Sequence, residues 1–176
     1  MREIGVYCEL WAWDVDEQSI KEFAPNGIIL SGGPESVHEA DSPRAPQWVY
    51  EAGVPVLGIC YGMQLLAYAL GGKVDRPHGS REYGPAEATL DNKHPLFKKI
   101  EGKSQVWASH GDTVITLPKG FSAIGTSEGI AGMTNKSNSV FGVQFHPEVT
   151  DTIEGKKILQ NFLDISGCEK DWNPKD

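Results

Sequence analysis

Residues 54–59 (VPVLGI) form a continuous apolar run, and residues 61–70 (YGMQLLAYAL) carry an apolar helical pattern. Only Cys60 separates them, with Gly58 and Gly62 two residues away on either side. A short run that is apolar throughout reads as a strand buried on both faces, as in a parallel sheet covered by helices. Glycines flanking the junction permit a turn that a Cβ would obstruct. Such a turn throws the side chain at position 60 out beyond the carboxyl end of its strand, over the crevice where parallel sheets bind ligands.

The same alternation precedes this junction. Residues 6–13 (VYCELWAW) read as a strand, and residues 16–23 as a short helix that stops before Pro25. Residues 27–31 (GIILS) read as a buried strand, followed by the loop Gly32-Gly33-Pro34-Glu35-Ser36. Residues 43–52 read as a helix, with Ser42 as N-cap and Gly53 just past its end. The second half is richer in strands, expected at 82–90, 104–108, 123–126, 130–135 and 140–145. A last helix is expected over 152–165, where Ile158, Leu159, Phe162 and Ile165 share one face. The pattern predicts an α/β domain with a mostly parallel central sheet and helices on both faces, plus a smaller antiparallel strand element in the second half. Residues 1–166 make up that domain, and the polar tail 167–176 reads as a linker.

Composition narrows the function classes. The 176 residues suffice for one domain with a full core. A formal net charge of −8, with Lys98-Lys99 the longest basic run, argues against nucleic acid as a partner. No apolar stretch reaches the roughly 18 residues that span a bilayer, and no signal peptide is visible, so a cytoplasmic location and no membrane partner are expected. The three cysteines, Cys8, Cys60 and Cys168, are too few, too scattered and too odd in number for a disulfide framework. No ligand spacing suggests a metal.

A cysteine on such a turn is either a small buried hydrophobe or a nucleophile, and the positive end of the following helix favours the thiolate. A nucleophile needs a base, and the base needs an orienting partner. His38, His78 and His94 lie in polar or Pro/Gly-flanked loops and read as solvated. His110 follows a strand in Ser109-His110-Gly111-Asp112. His146 ends the apolar run 140–145 and is followed by Pro147 and Glu148, so a carboxylate on a proline-stiffened turn can hold its imidazole in one tautomer. The plainer alternative is that His146 only caps a strand end. An acyl-transfer site also needs two donors for an oxyanion: the Tyr61 N–H, directly after the nucleophile, and Gly33, in a loop at the end of a neighbouring strand. Gly32-Gly33-Pro34 taken alone is an ordinary turn.

Three separated segments, Ser31-Gly32-Gly33-Pro34, residues 55–64 (PVLGICYGMQ) and residues 142–148 (GVQFHPE), resemble the class I, or triad, glutamine amidotransferases in content and order. The resemblance implies a flavodoxin-like α/β fold and a Cys60–His146–Glu148 triad. Cys60 then attacks the side-chain amide of L-glutamine, releasing ammonia and leaving a γ-glutamyl thioester. Gly33 and Tyr61 are the implied oxyanion donors. Gln64, Ser109, Gly111 and Asp112 are the implied contacts for the amino-acid end of glutamine. Within the family, residues 5–14 (GVYCELWAWD), residues 42–47 (SPRAPQ), Arg81-Glu82-Tyr83-Gly84 and residues 168–174 look like the branch that supplies ammonia for conversion of XMP to GMP. That likeness implies a partner, an ATP pyrophosphatase (synthetase) carried on another domain or subunit, and a homodimer in the full enzyme. ATP and magnesium are expected only in that partner, with no cofactor in this domain. Rival readings are an amidotransferase subunit of another pathway such as anthranilate synthesis, a hydrolase of γ-glutamyl conjugates, and a catalytically silent regulatory module. The family also opens with a strand and an Asp-Phe-Gly-Ser-Gln-Tyr-like turn, whereas this sequence starts near the end of the following helix. The strand absent here is expected in the middle of the sheet, so that exposed edges and apolar surface are expected unless another chain pairs there.

Overall fold

The computed structural model describes residues 1–76 and 82–173. His78, Arg81 and the last three residues of the tail lie outside them. After a short 3₁₀ turn at Arg2–Ile4 come α1 (Glu17–Phe23), β1 (Ile28–Leu30), β2 (Val56–Ile59), α2 (Tyr61–Ala69), β3 (Lys73–Asp75), β4 (Glu82–Leu90), β5 (Lys103–His110), β6 (Thr113–Thr116), β7 (Phe121–Thr126), β8 (Ile130–Asn135), β9 (Val140–Val143) and α3 (Gly155–Ile165).

Seven strands make one mixed sheet in the order β1-β2-β9-β8-β7-β4-β5. Its parallel part is β1-β2-β9, with Leu30 opposite Gly58 and Ile59 opposite Val143. From β9 through β8, β7 and β4 to β5 every pairing is antiparallel. The expectation of an α/β fold holds, but among the described residues the sheet is mixed rather than mostly parallel, because the strands from β4 to β8 follow one another through short connections and pair antiparallel; the parallel strands are those that carry the elbow. β3 and β6 form a separate antiparallel pair, a smaller antiparallel element of the kind expected, although neither strand was among the ranges read from the sequence. Lys73–Asp75 and Thr113–Thr116 are too short and too polar to announce themselves as strands.

Side chains leave β2 and β9 alternately to two cores. Leu57, Ile59, Phe141 and Val143 pack with Ile158 and Phe162 of α3. Val56 and Val140 pack on the other face with Ile20 of α1 and with Met63 and Leu66 of α2. This burial on both faces accounts for the unbroken apolar runs. On the α2 side the sheet presents Gly58 and Gly142, which lets the helix lie almost on the backbone. A Cβ at Gly62 would stand 2.0 Å from the Leu30 carbonyl oxygen, and one at Gly58 2.5 Å from the Gly62 carbonyl.

α1 starts where expected, with Asp16 accepting from the Ser19 N–H at 2.9 Å as N-cap. Two other expectations fail. Residues 6–13 join no strand of either sheet among the described residues. The Tyr7 and Trp11 rings both pack on Phe23, and both side chains hydrogen-bond Glu9. Leu10 is 93% exposed. Strand propensity without a ladder to join does not make a strand. Residues 43–52 yield only a 3₁₀ turn at Gln47–Tyr50, because Pro43 and Pro46 break the helical ladder. Ser42 does not cap it; its hydroxyl donates to the Ser36 carbonyl. The tail folds back as far as Trp172, whose N–H donates to the Gly5 carbonyl at 2.9 Å.

Replacing Gly62 by Ala pushes a methyl group into the Leu30 carbonyl, and overpacking of this kind costs about 1–3 kcal/mol. The urea unfolding midpoint of Gly62→Ala should therefore fall; an unchanged midpoint contradicts so close an approach of α2 to β1.

Candidate active site

Cys60 sits between β2 and α2 with φ 53° and ψ −109°, a left-handed conformation that side chains other than glycine rarely adopt. Its own N–H donates to the Val143 carbonyl at 2.8 Å, and its carbonyl accepts the first helical bond of α2, from the Gln64 N–H, at 3.1 Å. Both ends of the turn are thereby pinned to regular structure. The next residue, Tyr61, opens the helix, and its N–H is one of the four without an intrahelical acceptor. The Tyr61 side chain is committed elsewhere, its hydroxyl donating to the Pro43 carbonyl at 2.6 Å.

β2 and β9 are parallel neighbours in register, so their carboxyl ends reach the same edge of the sheet. Cys60 follows one and the Gln144–Glu148 turn follows the other. That turn is fastened to β5. The His146 N–H donates to the Trp107 carbonyl at 3.0 Å, and the Thr152 hydroxyl accepts from the Trp107 N–H at 2.9 Å while donating to the His146 carbonyl at 2.6 Å. His146 Nδ1 meets Glu148 Oε1 at 2.6 Å. A methyl group on Gly32 would touch both the His146 ring, at 3.0 Å, and Cys60 Cβ, at 3.4 Å, so ring and cysteine face each other across a bare glycine. The thiol lies 3.6 Å from the Ser109 carbonyl.

The imidazole of His146 is pushed up to about 10, first by its hydrogen bond to Cys60 and then by that to Glu148, both outweighing burial. Burial works to raise Glu148, but the hydrogen bond and positive charge of His146 and its own backbone N–H bring it below the usual carboxylate range. The two shifts describe one ion pair, protonated on the ring.

Cys60 is only 4% exposed, yet it borders a cleft of about 300 Å³. Gly33 and the four residues implied as glutamine contacts, Gln64, Ser109, Gly111 and Asp112, line the same cleft; Tyr61, His146 and Glu148 are not part of its lining. Gln64 Nε2 donates to the Asp112 carbonyl at 2.8 Å. His110 reaches the cleft too, but its ring nitrogens are engaged by Glu82 Oε2 at 2.9 Å and the Asp112 carbonyl at 3.1 Å. His94 is not solvated as expected. It is buried, with Nε2 on Asn138 and Nδ1 accepting from the Leu96 N–H, as cap of a 3₁₀ turn. His38 is exposed, its Nε2 2.7 Å from the Val74 carbonyl. The sequence reading did not assign roles to Thr152, Glu35 or Arg76. Glu35 stood in the quoted loop with no role given, and nothing local marks the other two.

Among the described residues, no group of three or more His, Cys, Asp or Glu could hold a metal ion, and no helix is long and apolar enough to cross a membrane. The three cysteines are free.

Residues 1–165 match the family model for glutamine amidotransferase class-I. The chain belongs to the class I glutamine amidotransferases. Among curated relatives of this amidotransferase, the GMP synthase [glutamine-hydrolyzing] of Shewanella woodyi is 56% identical over 99% of the chain and 35% of that protein. The protein of the same name from Vibrio vulnificus is 54% identical over 98% of the chain and 34% of its own length. The chain thus spans about a third of the length of the curated relatives it matches. Of solved structures, a putative GMP synthase subunit from Thermoplasma acidophilum superposes with a TM-score of 0.82 at 27% identity, covering 94% of this chain and 84% of that one. A glutamine amidotransferase from Thermotoga maritima gives 0.61 at 26% identity, covering 79% and 61%.

The raised His146 value fixes a pH dependence. Below 6.5, the ordinary imidazole value, the ring is protonated whether folded or unfolded, and the pairing contributes its whole share of stability. That share is lost as pH rises through about 10. The thermal midpoint should therefore decline between pH 6.5 and 10, and less steeply in Glu148→Gln, which lacks one of the partners that raise the ring. Identical profiles for the two proteins contradict the ion pair.

Proposed function

We propose that this chain hydrolyses L-glutamine to glutamate and ammonia at Cys60, and that the ammonia goes to an ATP-using synthetase that aminates XMP to GMP. The first part is supported by one arrangement: Cys60 borders the cleft, the His146 ring faces it across Gly32, and Glu148 holds His146 Nδ1. The second part is supported by relatives named GMP synthase at about 55% identity.

Cys60 Sγ attacks the side-chain carbonyl carbon of glutamine, and the carbonyl π electrons move onto oxygen. The N–H groups of Tyr61 and Gly33 are suited to receive that oxyanion, the first at a helix start and the second in the loop after β1. With a value near 10, the His146 ring is protonated at neutral pH, so a proton for the departing nitrogen is already in place. Collapse of the oxyanion breaks the C–N bond and leaves a thioester on Cys60 with ammonia free. The now neutral His146 takes a proton from water, whose oxygen attacks the thioester; glutamate leaves and the thiolate–imidazolium pair is restored. Glu148 holds Nδ1 throughout and keeps the other nitrogen aimed at the reacting atoms. The tail from 167 onward is read as the approach to the synthetase domain, where ATP and magnesium would bind.

Full-length protein given XMP, ATP and magnesium should make GMP from either glutamine or ammonium. Cys60→Ala should lose the glutamine-driven reaction and keep the ammonium-driven one. Loss of a general acid–base group slows reactions about 10²–10⁴-fold, so His146→Ala should fall in that range and Glu148→Gln should lose less. Glutamine-dependent GMP formation by Cys60→Ala contradicts the nucleophile. Ammonia release without GMP formation by the wild type contradicts only the acceptor.

A further inference from the structure

A second, smaller cavity, of about 20 Å³, lies among β4, β5, β8 and the turn that follows β9. It has room for a molecule the size of water. Its lining shares one residue with the cleft, His110, so the two spaces adjoin at that ring. A run of contacts leads from the nucleophile into it. Cys60 Sγ lies 3.6 Å from the carbonyl of Ser109; the next residue, His110, meets Glu82 Oε2 through Nε2 at 2.9 Å; Glu82 Oε1 accepts from the Ser127 hydroxyl at 3.2 Å. Ser127 is half-buried and Gly129 exposed, so the far rim of the cavity lies at the surface, in the turn between β7 and β8.

Gln144 also lines this cavity. It is 3% exposed, and among the described residues its Nε2 has no hydrogen-bond partner. Its neighbours fix which way the amide faces. The Asp112 carbonyl can only accept, so Gln64 presents Nε2 to it, at 2.8 Å, and that same Nε2 meets Gln144 Oε1 at 3.4 Å. Turning the Gln144 amide over would set two donors face to face. The unpartnered Nε2 therefore needs an acceptor no larger than the cavity. Ammonia offers one lone pair to that donor, and its own N–H groups suit the polar wall of Glu82 and Ser127. Ammonium has no lone pair to offer, so the site selects the unprotonated, nucleophilic form. We propose that ammonia released at Cys60 leaves the cleft past the His110 ring, crosses this cavity by way of Gln144 Nε2, and emerges at the turn between β7 and β8 towards the synthetase. This deepens the reading given above and rests on it.

The test uses full-length protein with XMP, ATP and magnesium, at an enzyme concentration low enough for escaped ammonia to be diluted. Gly129→Val narrows the outer rim without a clash, because a Cβ there meets only Thr113 Oγ1, another lining residue, at 4.0 Å. Ala131→Val fills the cavity from its buried side. Both variants should form glutamate from glutamine, and GMP from saturating ammonium, at the wild-type rates, yet make less GMP per glutamate. With amide-labelled glutamine and unlabelled ammonium supplied together, the wild type should put mainly labelled nitrogen into GMP, and the variants should lose that preference. Unchanged GMP per glutamate in both variants means that the cavity takes water alone, and overturns the route; so does a wild type without preference for the label. Glutamate formation that falls in step with GMP makes the cavity a mere support of the glutamine site and overturns the route equally. Glutamate without any GMP in the wild type is instead the failure of the acceptor reading, and the route falls with it.

Discussion

The structure depends on the backbone at Cys60, which is held at φ 53° without being glycine. A conformation of this kind costs on the order of 1–3 kcal/mol and persists only where its surroundings enforce it. Here the enforcement is regular structure on both sides. β2 is clamped between β1 and β9, and α2 lies so close to the sheet that Gly58 and Gly62 admit no side chain. The apolar cores on the two faces hold those elements in place, so burial of Leu57, Phe141, Met63 and Leu66 is what keeps the turn sharp.

From that turn the rest of the site follows by register. Because Ile59 pairs with Val143, the chain leaving β9 emerges beside the chain leaving β2, and three residues later it delivers His146. Thr152 and Trp107 then fix the height of His146 against β5, the strand that also presents Ser109 and His110. The antiparallel half of the sheet thus supplies the far wall of the cleft, and the parallel half supplies Cys60 and the turn that carries His146. Charge completes the arrangement: Glu148 keeps the imidazolium oriented, and Asp112 secures Arg76 at the opposite end.

Much of this was legible in the sequence where the signal is local. The buried runs at 54–59 and 140–145, the glycines around Cys60 and the His-Pro-Glu turn each carry their physics within a few residues, and they map onto β2, β9 and the elbow. Residues 6–13 misled because aromatic and β-branched content measures fitness for a pleated surface, not the presence of a neighbour to pair with. The segment at 43–52 misled because Ser42 and Gly53 resemble a helix's start and stop signals, whereas Pro43 and Pro46 between them break the ladder. His94 misled because its partners are distant or non-periodic: Asn138 comes from 44 positions away. Arg76 and Thr152 gave no sign, since their partners are brought to them by other elements: Arg76 meets Asp112, and Thr152 bridges Trp107 and His146. The site residues implied by family resemblance, Gln64, Ser109, Gly111 and Asp112, do line one cavity, a placement that spacing alone did not dictate.

The central claim is that the sulfur of Cys60 becomes acylated by glutamine. Mass spectrometry of the protein acid-quenched during turnover tests it most directly. The account predicts a γ-glutamyl group on the peptide containing Cys60 and on no other. Ammonia formation with that peptide unmodified at every time point, or an adduct on Cys8 or Cys168 instead, would contradict it.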